Sequence, residues 1–227
     1  MIKVEKIETW GFEHAIRGMR NPLNSWARSD SYNNYAVEYK EDGEEIHHPY
    51  YRIGASDLDL MRRLYKAGTE HRKYLRQIFV SLDITAPLYW WKEFDTYKVG
   101  TVANSCSTMH KIAMKEFTLD DFSCEYLLPD SIKALKALIE IMNQYRRLYL
   151  EKGHNDPKLN WWQLIQLLPT SYNQKRTITI NYENAVSMIK QRSGHKLDEW
   201  NEFVEQLKML PYLAEITGIR RDENNED

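Results

Sequence analysis

Residues 95–110, DTYKVGTVANSCSTMH, combine residue types that are suited to holding a small ligand. The segment surrounds one lysine, Lys98, with hydroxyl and amide side chains. Those side chains are Thr96, Thr101, Asn104, Ser105, Ser107 and Thr108. Hydroxyls and amides donate and accept hydrogen bonds, and a lysine ammonium can meet a phosphate as a point charge. Such a segment is poor material for a hydrophobic core, so we expect it to form part of a ligand site.

Other kinds of catalytic or metal site have weaker support in the sequence. No Cys-x-x-Cys, His-Glu-x-x-His or Gly-x-Ser-x-Gly motif occurs, and Cys106 has no nearby base that would favour its thiolate. His47 and His48 are adjacent, and adjacent side chains diverge on a strand, so we interpret them as surface residues and expect no metal site. The basic stretch at 70–76 could hold a phosphate, but it is also typical of a solvated helix face.

The composition limits the class of protein. The chain has 227 residues, of which 42% are hydrophobic, which is enough for a substantial core. Its 31 basic and 33 acidic residues leave a net charge of −2, so no bulk field attracts nucleic acid or an anionic membrane. Only two cysteines occur, the first residues alternate charged and apolar side chains, and no window approaches the roughly 18–20 apolar residues of a membrane span. We therefore expect a cytoplasmic protein that binds neither nucleic acid nor membranes.

Hydrophobic periodicity predicts both strands and helices. Alternation in period two predicts strands at 2–8, 78–85 and 176–182. Helical spacing predicts helices around 132–145 and 197–207, and two more are expected at 57–67 and from Pro87 onward. These elements together indicate an α+β fold.

The remaining segments indicate a hairpin, a single domain and a tail. Asp-Gly within KEDGEE (40–45) predicts a hairpin turn between two strands. No internal repeat or interior linker rich in Pro, Gly or Ser occurs, so residues 1–218 are predicted to form one domain. Residues 219–227 end in the polar run RRDENNED and are expected to form a disordered acidic tail.

The polar segment and its surroundings resemble the signature region of the flavin-dependent thymidylate synthases. In that family a strand ends in Ala-Pro or a similar pair, a short aromatic helix follows, and then comes the pattern R-H-R-x-x-S-x-N-E-x-S-x-R-Y. The corresponding stretch here is ITAPLYWWKEFDTYKVGTVANSCST. Three further stretches match in the same order: VEKIETWGFEHAIRGMR, LYKAGTEH and LLPTSYNQKRTITINYENAVSMIKQR. Together the four stretches extend over most of the chain.

The resemblance implies a fold, an activity and a set of partners. It implies α+β subunits, with a mixed sheet and packed helices, that assemble into a homotetramer and bind FAD where subunits meet. The implied reaction methylates the pyrimidine nucleotide dUMP to dTMP, with methylenetetrahydrofolate as carbon donor and NADPH as reductant of the flavin. The family uses no cysteine nucleophile, so the absence of an activated cysteine does not count against this activity.

The resemblance also assigns individual residues to cofactor and substrate. Asn181 falls on an asparagine that contacts the flavin, and Arg192 on the arginine that reaches the uracil ring. Lys98 keeps one charge of R-H-R, and Thr101 can replace the signature serine as a hydroxyl donor. Cofactor-binding roles are thus implied for Lys98, Thr101 and Asn181.

Beyond Thr101 the register of the signature is ambiguous. With one inserted residue, Asn104 and Ser107 fall on the asparagine and the serine of N-E-x-S. Without the insertion, Asn104 replaces the glutamate and Thr108 the arginine of the signature. The resemblance therefore implies that Asn104 binds cofactor and that Ser107 joins Arg192 as a catalytic residue.

Several charges of the family are missing, which leaves two functions open. Thr96 and Tyr97 stand at cationic positions of R-H-R, and Glu183 stands at a position that is usually cationic. A charge-assisted hydrogen bond of this kind typically contributes about 1.5–3 kcal/mol. Possible replacement cations are Arg20, Arg72, Lys73, Arg76, Lys175 and Arg176. The chain is either a divergent flavin enzyme acting on a pyrimidine nucleotide, or a non-catalytic nucleotide-binding or regulatory protein with the same fold.

Overall fold

The computed structural model describes residues 2–40, 42, 44–151 and 156–220. The strands in this part of the chain are β1 (Lys3–Trp10), β2 (Tyr32–Tyr39), β3 (Glu45–Arg52), β4 (Phe79–Pro87), β5 (Val102–Ser105) and β6 (Asn173–Asn181). The helices are α1 (Phe12–Arg20), α2 (Ala55–Lys66), α3 (Leu88–Phe94), α4 (Pro129–Leu150), α5 (Pro157–Leu167), α6 (Tyr182–Arg192), α7 (Asp198–Lys208) and α8 (Leu213–Thr217). The α+β class predicted from the sequence is therefore confirmed. No helix among the described residues combines the length and the apolar character that a membrane crossing requires.

The strands form two sheets. The larger has the order β1-β4-β6-β5, and β2 and β3 form a separate two-stranded sheet. β4 and β6 run antiparallel, because the Tyr182 N–H donates to the Ile78 carbonyl at one end and the Leu88 N–H donates to the Tyr172 carbonyl at the other, both at 3.0 Å. β2 and β3 are also antiparallel, which confirms the predicted hairpin. Two residues of its turn, 41 and 43, lie outside the described residues.

Contacts between residues divide the chain into two compact units. The first unit comprises the segment up to residue 6 together with 82–178 and 195–203. The second unit comprises 7–81, 179–194 and the segment from residue 204. A single domain over residues 1–218 stays a prediction. Of the predicted acidic tail, residues 221–227 lie outside the described residues.

Two hydrophobic clusters form the core of the first unit, and the first of them is aromatic. Trp90 and Trp91 of α3 are fully buried, and the Trp90 ring lies 4.8 Å from the ring of Trp200 on α7. The second cluster joins α4 and α5 to the loop before them, and it comprises Ile112, Ala113, Phe117, Phe122, Leu135, Ile139, Met142 and Leu164. The spacing of Leu135, Ile139 and Met142 is the helical repeat seen in the sequence, so this face of α4 was predictable.

The second unit contains a buried ion pair. Arg20, at the end of α1, is 3% exposed and its Nε lies 2.5 Å from Oδ1 of Asp57, which is 0% exposed. Oδ2 of Asp57 accepts hydrogen bonds from Ser29 Oγ, Ser31 Oγ, and the backbone N–H groups of Asp30 and Ser31. Burial alone would raise the pKa of Asp57, but hydrogen bonds from Ser31, Arg20 and Ser29 hold that pKa below its usual range. The pair fastens residues 25–31 to α1 and α2.

Candidate functional site

The residues that replace R-H-R lie in a tight turn after α3. The Thr96 N–H donates to the Glu93 carbonyl at 3.2 Å, and the Thr96 hydroxyl donates to the same oxygen at 2.7 Å. The Tyr97 ring packs against Phe94 and Trp200, with ring centroids 6.4 Å and 6.0 Å away. Tyr97 therefore belongs to the aromatic core of the first unit. Lys98, the next residue, is exposed and can reach a ligand.

Thr101 carries a buried hydroxyl group. Its Oγ1 is buried and makes no hydrogen bond with any described residue. An unsatisfied buried polar group typically costs about 1–3 kcal/mol of stability. A ligand that hydrogen-bonds to this oxygen would remove that cost. The segment singled out in the sequence thus contains a buried hydroxyl that a polar ligand atom would satisfy once the groups covering it move aside.

The residues after Thr101 run along an edge of the larger sheet. All four residues of β5 are exposed, including Asn104, and the Cys106 N–H donates to the Lys175 carbonyl at 2.9 Å beside them. The Ser107 Oγ accepts hydrogen bonds from the N–H groups of His110 (2.9 Å) and Met109 (3.3 Å). The oxygen lone pairs of Ser107 therefore hold a turn, and its hydroxyl proton is the group that remains for a ligand.

Two cations beside this segment are engaged by protein partners. The Arg176 guanidinium lies over the Trp91 ring at 4.2 Å, and its Nη1 is 2.7 Å from Asp95 Oδ1. The Lys175 ammonium lies 3.0 Å from Asp83 Oδ2, and this hydrogen bond raises the pKa of Lys175. Neither residue is therefore a ready replacement for the missing arginines.

Asn181 caps α6 in the second unit. It is 7% exposed, and its Oδ1 accepts a hydrogen bond from the Asn184 N–H at 3.0 Å. This is the usual role of asparagine at a helix start, where it satisfies an orphan backbone donor. The cap uses the side-chain oxygen, which leaves the amide nitrogen as the group that can donate to a ligand.

Glu183 occupies the usually cationic position, and Arg72 lies directly against it. Arg72 Nη2 and Nε lie 2.7 Å and 3.2 Å from Glu183 Oε1. The other oxygen of Glu183 is buried and has no hydrogen-bond partner among the described residues. Arg72 and Lys190 also lie over the Tyr65 ring, each 5.3 Å from its centroid. Arg72 thus neutralises the Glu183 carboxylate beside α6, and Lys190 is a cation that the sequence analysis missed.

Among the other proposed replacement cations, Arg20 is ruled out by its buried pair with Asp57, whereas Lys73 and Arg76 are exposed. No pattern in the sequence distinguishes these cases. Arg20 pairs with a residue 37 positions away, and Lys190 looks like an ordinary surface lysine at the end of a helix.

Arg192 is the last residue of α6 and is half-buried. It interacts with other groups of the protein, so it is not a free guanidinium. Two carboxylates a few residues beyond it accept hydrogen bonds from tyrosines: Tyr89 donates to Glu199, and Tyr126 donates to Asp198. A ligand contact for Arg192 stays a prediction.

The predicted site residues are divided between the two units. Lys98, Thr101, Asn104 and Ser107 belong to the first unit, and Asn181 and Arg192 belong to the second. In the first unit the four residues share one short stretch that begins at the turn after α3. In the second unit Asn181 caps the start of α6 and Arg192 is its last residue. Lys190 lies on the same helix, and Arg72 pairs with Glu183 in its first turn.

Comparison with known proteins shows that solved structures have a fold similar to that of this chain. No family model matches the chain, and no curated protein matches it. Solved structures do match over nearly the whole length. Thymidylate Synthase X (ThyX) from Helicobacter pylori, solved with FAD and dUMP, is 15% identical, with 96% of this chain and 97% of that chain covered and a TM-score of 0.63.

Two further solved structures also have a fold similar to that of this chain. A second structure of the flavin-dependent thymidylate synthase ThyX from Helicobacter pylori, complexed with FAD and dUMP, is 16% identical over 94% of this chain and 97% of that chain, with a TM-score of 0.61. The UMP/dUMP methylase PolB from Streptomyces cacaoi, bound with 5-Br dUMP, is 13% identical over 92% of this chain and 88% of that chain, with a TM-score of 0.57. At these identities the likeness concerns the fold alone, and the chain shares the fold of flavin-dependent thymidylate synthases.

Proposed function

We propose that the protein is a divergent flavin-dependent enzyme that methylates dUMP or a related pyrimidine nucleotide, as a homotetramer that uses methylenetetrahydrofolate and NADPH. The fold likeness supports this proposal. The observation that carries it is the buried Thr101 hydroxyl without a partner, because it lies in the segment where the resemblance implies a flavin contact.

The residues present fit FAD as hydrogen-bonding partners. Thr101 and the amide nitrogen of Asn181 would donate to acceptors of the flavin, Asn104 would add an amide, and Lys98 would meet a phosphate as a point charge. FAD, when bound, would supply the hydride that completes a methyl group. Arg192 would orient the pyrimidine by donating to a ring carbonyl, and the Ser107 hydroxyl would serve as a hydrogen-bond donor.

Replacement of Thr101 by valine tests the cofactor role. Valine keeps the shape and removes a buried oxygen that lacks a partner, so the ligand-free protein is expected to be as stable as wild type or more stable. The same change is expected to weaken FAD binding by about fivefold or more, because roughly 1 kcal/mol of hydrogen bonding is lost. Quenching of flavin fluorescence on titration measures the affinity, and thermal denaturation measures the stability.

Thr96→Val is the matched control for this experiment. The Thr96 hydroxyl donates to the Glu93 carbonyl in the same turn, so its loss is expected to lower stability slightly and leave FAD binding unchanged. A wild-type protein that does not quench FAD fluorescence at high micromolar FAD would refute the cofactor proposal and favour the non-catalytic function.

Replacement of Arg192 by lysine tests the nucleotide role. If Arg192 contacts the pyrimidine, the melting temperature of the free protein is expected to change little, and the increase on adding dUMP is expected to disappear, since lysine cannot reproduce a two-pronged contact. If Arg192 is only a structural partner, the variant is less stable with and without dUMP. A wild type with no thermal shift in any pyrimidine nucleotide would rule out the ligand role.

The alternative is a non-catalytic protein that binds a nucleotide and has lost the chemistry. Tyr97 favours it, because this residue stands at a cationic position of the signature and is packed into the aromatic core. The two functions differ in a simple way: both allow a dUMP thermal shift, but only the enzyme binds FAD and oxidises NADPH.

A further inference from the structure

A cavity of about 650 Å³ lies within the second unit, and none of the residues assigned above to flavin or nucleotide lines it. It is formed by the end of β1, the start of α1, the hairpin β2–β3 and residues 211–215. Cavities that bind small organic molecules typically measure roughly 300–1,000 Å³. The volume of this cavity therefore suits a small organic molecule.

The walls of this cavity are aromatic. Trp10 is 45% exposed, and its ring stacks on Phe79 with centroids 5.9 Å apart. Phe12 meets Tyr212 edge-to-face at 5.6 Å. Tyr50 and Tyr51 of β3 complete the aromatic lining. Ring faces that remain open to a cavity attract cations, because the face of the π-system is negative.

The carboxylates that line this cavity are Glu13 and Glu215, and Glu215 also lines a second cavity together with Arg62, Lys66, Lys208 and Arg220. Neither carboxylate forms an ion pair with a described residue. No lysine or arginine occurs among the described residues that line the first of these cavities, and His14 is the sole histidine there. Burial and then the nearby Glu13 and Asp57 raise the pKa of Tyr51, which is consistent with a negative local potential. Two carboxylates over an aromatic surface are complementary to a positively charged ligand.

The wall opposite the hairpin is held in place before any ligand binds. Tyr212 has a left-handed backbone with φ of 59°, which is a strained conformation for a residue with a side chain. Its hydroxyl accepts a hydrogen bond from the Ile53 N–H and donates to the Tyr51 carbonyl, both at 3.3 Å. The Tyr182 hydroxyl donates to the Pro211 carbonyl at 2.7 Å. Such fixed geometry reduces the entropy lost on binding.

We propose that this cavity is a binding site for a small organic cation of the quaternary or alkylated ammonium class. The alkylated nitrogen lies against Trp10 and the tyrosine rings, and Glu13 and Glu215 neutralise its charge. This site is separate from the residues that carry the proposed nucleotide function, so it does not depend on that function.

Calorimetric titration with two matched probes tests the charge requirement. Choline and its uncharged analogue 3,3-dimethylbutan-1-ol have nearly the same shape, and benzyltrimethylammonium adds an aromatic body that suits the size of the cavity. Both cations are expected to bind, and the neutral alcohol is expected to bind about tenfold more weakly or not at all. Equal affinity for choline and the alcohol would overturn the proposal.

Substitutions of the residues that line the cavity test whether the cation binds there. Glu13→Gln combined with Glu215→Gln is expected to weaken benzyltrimethylammonium binding by about tenfold, whereas Glu8→Gln, an exposed acid of β1 outside the cavity, is expected to have little effect. Trp10→Leu is expected to weaken binding by about threefold to tenfold. Its control is Trp26→Leu, since Trp26 is 51% exposed and does not line the cavity.

An independent spectroscopic readout covers the case in which a variant fails to fold. In wild type labelled with ¹⁵N, the indole N–H signal of Trp10 is expected to shift on adding benzyltrimethylammonium, and the signal of Trp26 is not. Added dUMP or FAD is expected to leave this shift unchanged. A shift confined to other tryptophans, or competition by dUMP, would show that the cation binds elsewhere and would overturn the proposal.

Discussion

Replacement of Asp57 by asparagine is expected to lower the free energy of unfolding by about 3–5 kcal/mol, because it leaves the buried Arg20 guanidinium without its carboxylate. The Asp57 side chain is fully buried, and its two oxygens accept one ionic and four other hydrogen bonds. Asparagine has the same size, but only one of its two terminal atoms is an oxygen that accepts hydrogen bonds. Its amide nitrogen would face groups that are themselves hydrogen-bond donors. Urea denaturation followed by circular dichroism measures the change.

Asp59→Asn is the matched control on the same helix. Asp59 lies two residues further along α2, is 64% exposed and pairs with Arg63 four residues later at 2.9 Å. Exposed pairs of this kind contribute about 0.3–0.5 kcal/mol, so this substitution is expected to have a small effect. Equal losses for the two variants would show that the Arg20–Asp57 pair is not the source of the stability.

The pH dependence provides a second test of the same pair. The pKa of Asp57 is lowered in the folded protein, so its contribution is fully present above the unfolded value of about 3.9 and is lost as the pH falls through the folded value. The stability difference between wild type and Asp57→Asn is therefore expected to shrink as the pH falls below about 4. A difference that stays constant across this acid range would contradict the assignment.

Local patterns in the sequence were sufficient to predict several elements of the fold, but β5, α5 and α8 were not among them. The helical spacing of Leu135, Ile139 and Met142 identified the buried face of α4, and Asp-Gly identified the hairpin, because these signals depend only on neighbouring residues. Boundaries were less certain. α4 extends from Pro129 to Leu150, beyond the predicted range of 132–145, and Tyr149 near its end also packs against the hydrophobic cluster.

Long-range pairing could not be predicted in the same way. Arg20 was a reasonable ligand cation on the sequence alone, and the structure buries it against Asp57, 37 residues later. Glu183 stands where the resemblance implies a cation, and the structure pairs its carboxylate with Arg72, 111 residues earlier. Pairs at such separations leave no periodic signal. The Thr101 hydroxyl was predicted from its type and place, but its lack of a partner is visible only in three dimensions.

Replacement of Gly11 by alanine is expected to be the second most damaging change, at about 2–5 kcal/mol of unfolding free energy. Gly11 has φ of 94°, which residues with a side chain rarely adopt. A Cβ at this position would also lie 2.2 Å from the Gln77 carbonyl oxygen, which belongs to the backbone and cannot rotate away. Both the strain and the clash oppose the substitution.

Gly68→Ala separates these two causes. Gly68 has φ of 110°, but nothing lies within 4 Å of a Cβ built there, so alanine at this position meets strain without a clash. Gly11→Ala is therefore expected to be more destabilising than Gly68→Ala by about 1–3 kcal/mol, the usual cost of overpacking. Chemical denaturation of the two variants under the same conditions gives this difference directly. If the two variants lose the same stability, the backbone conformation alone explains the glycine at position 11, and the close approach of α1 to Gln77 does not limit the side chain there.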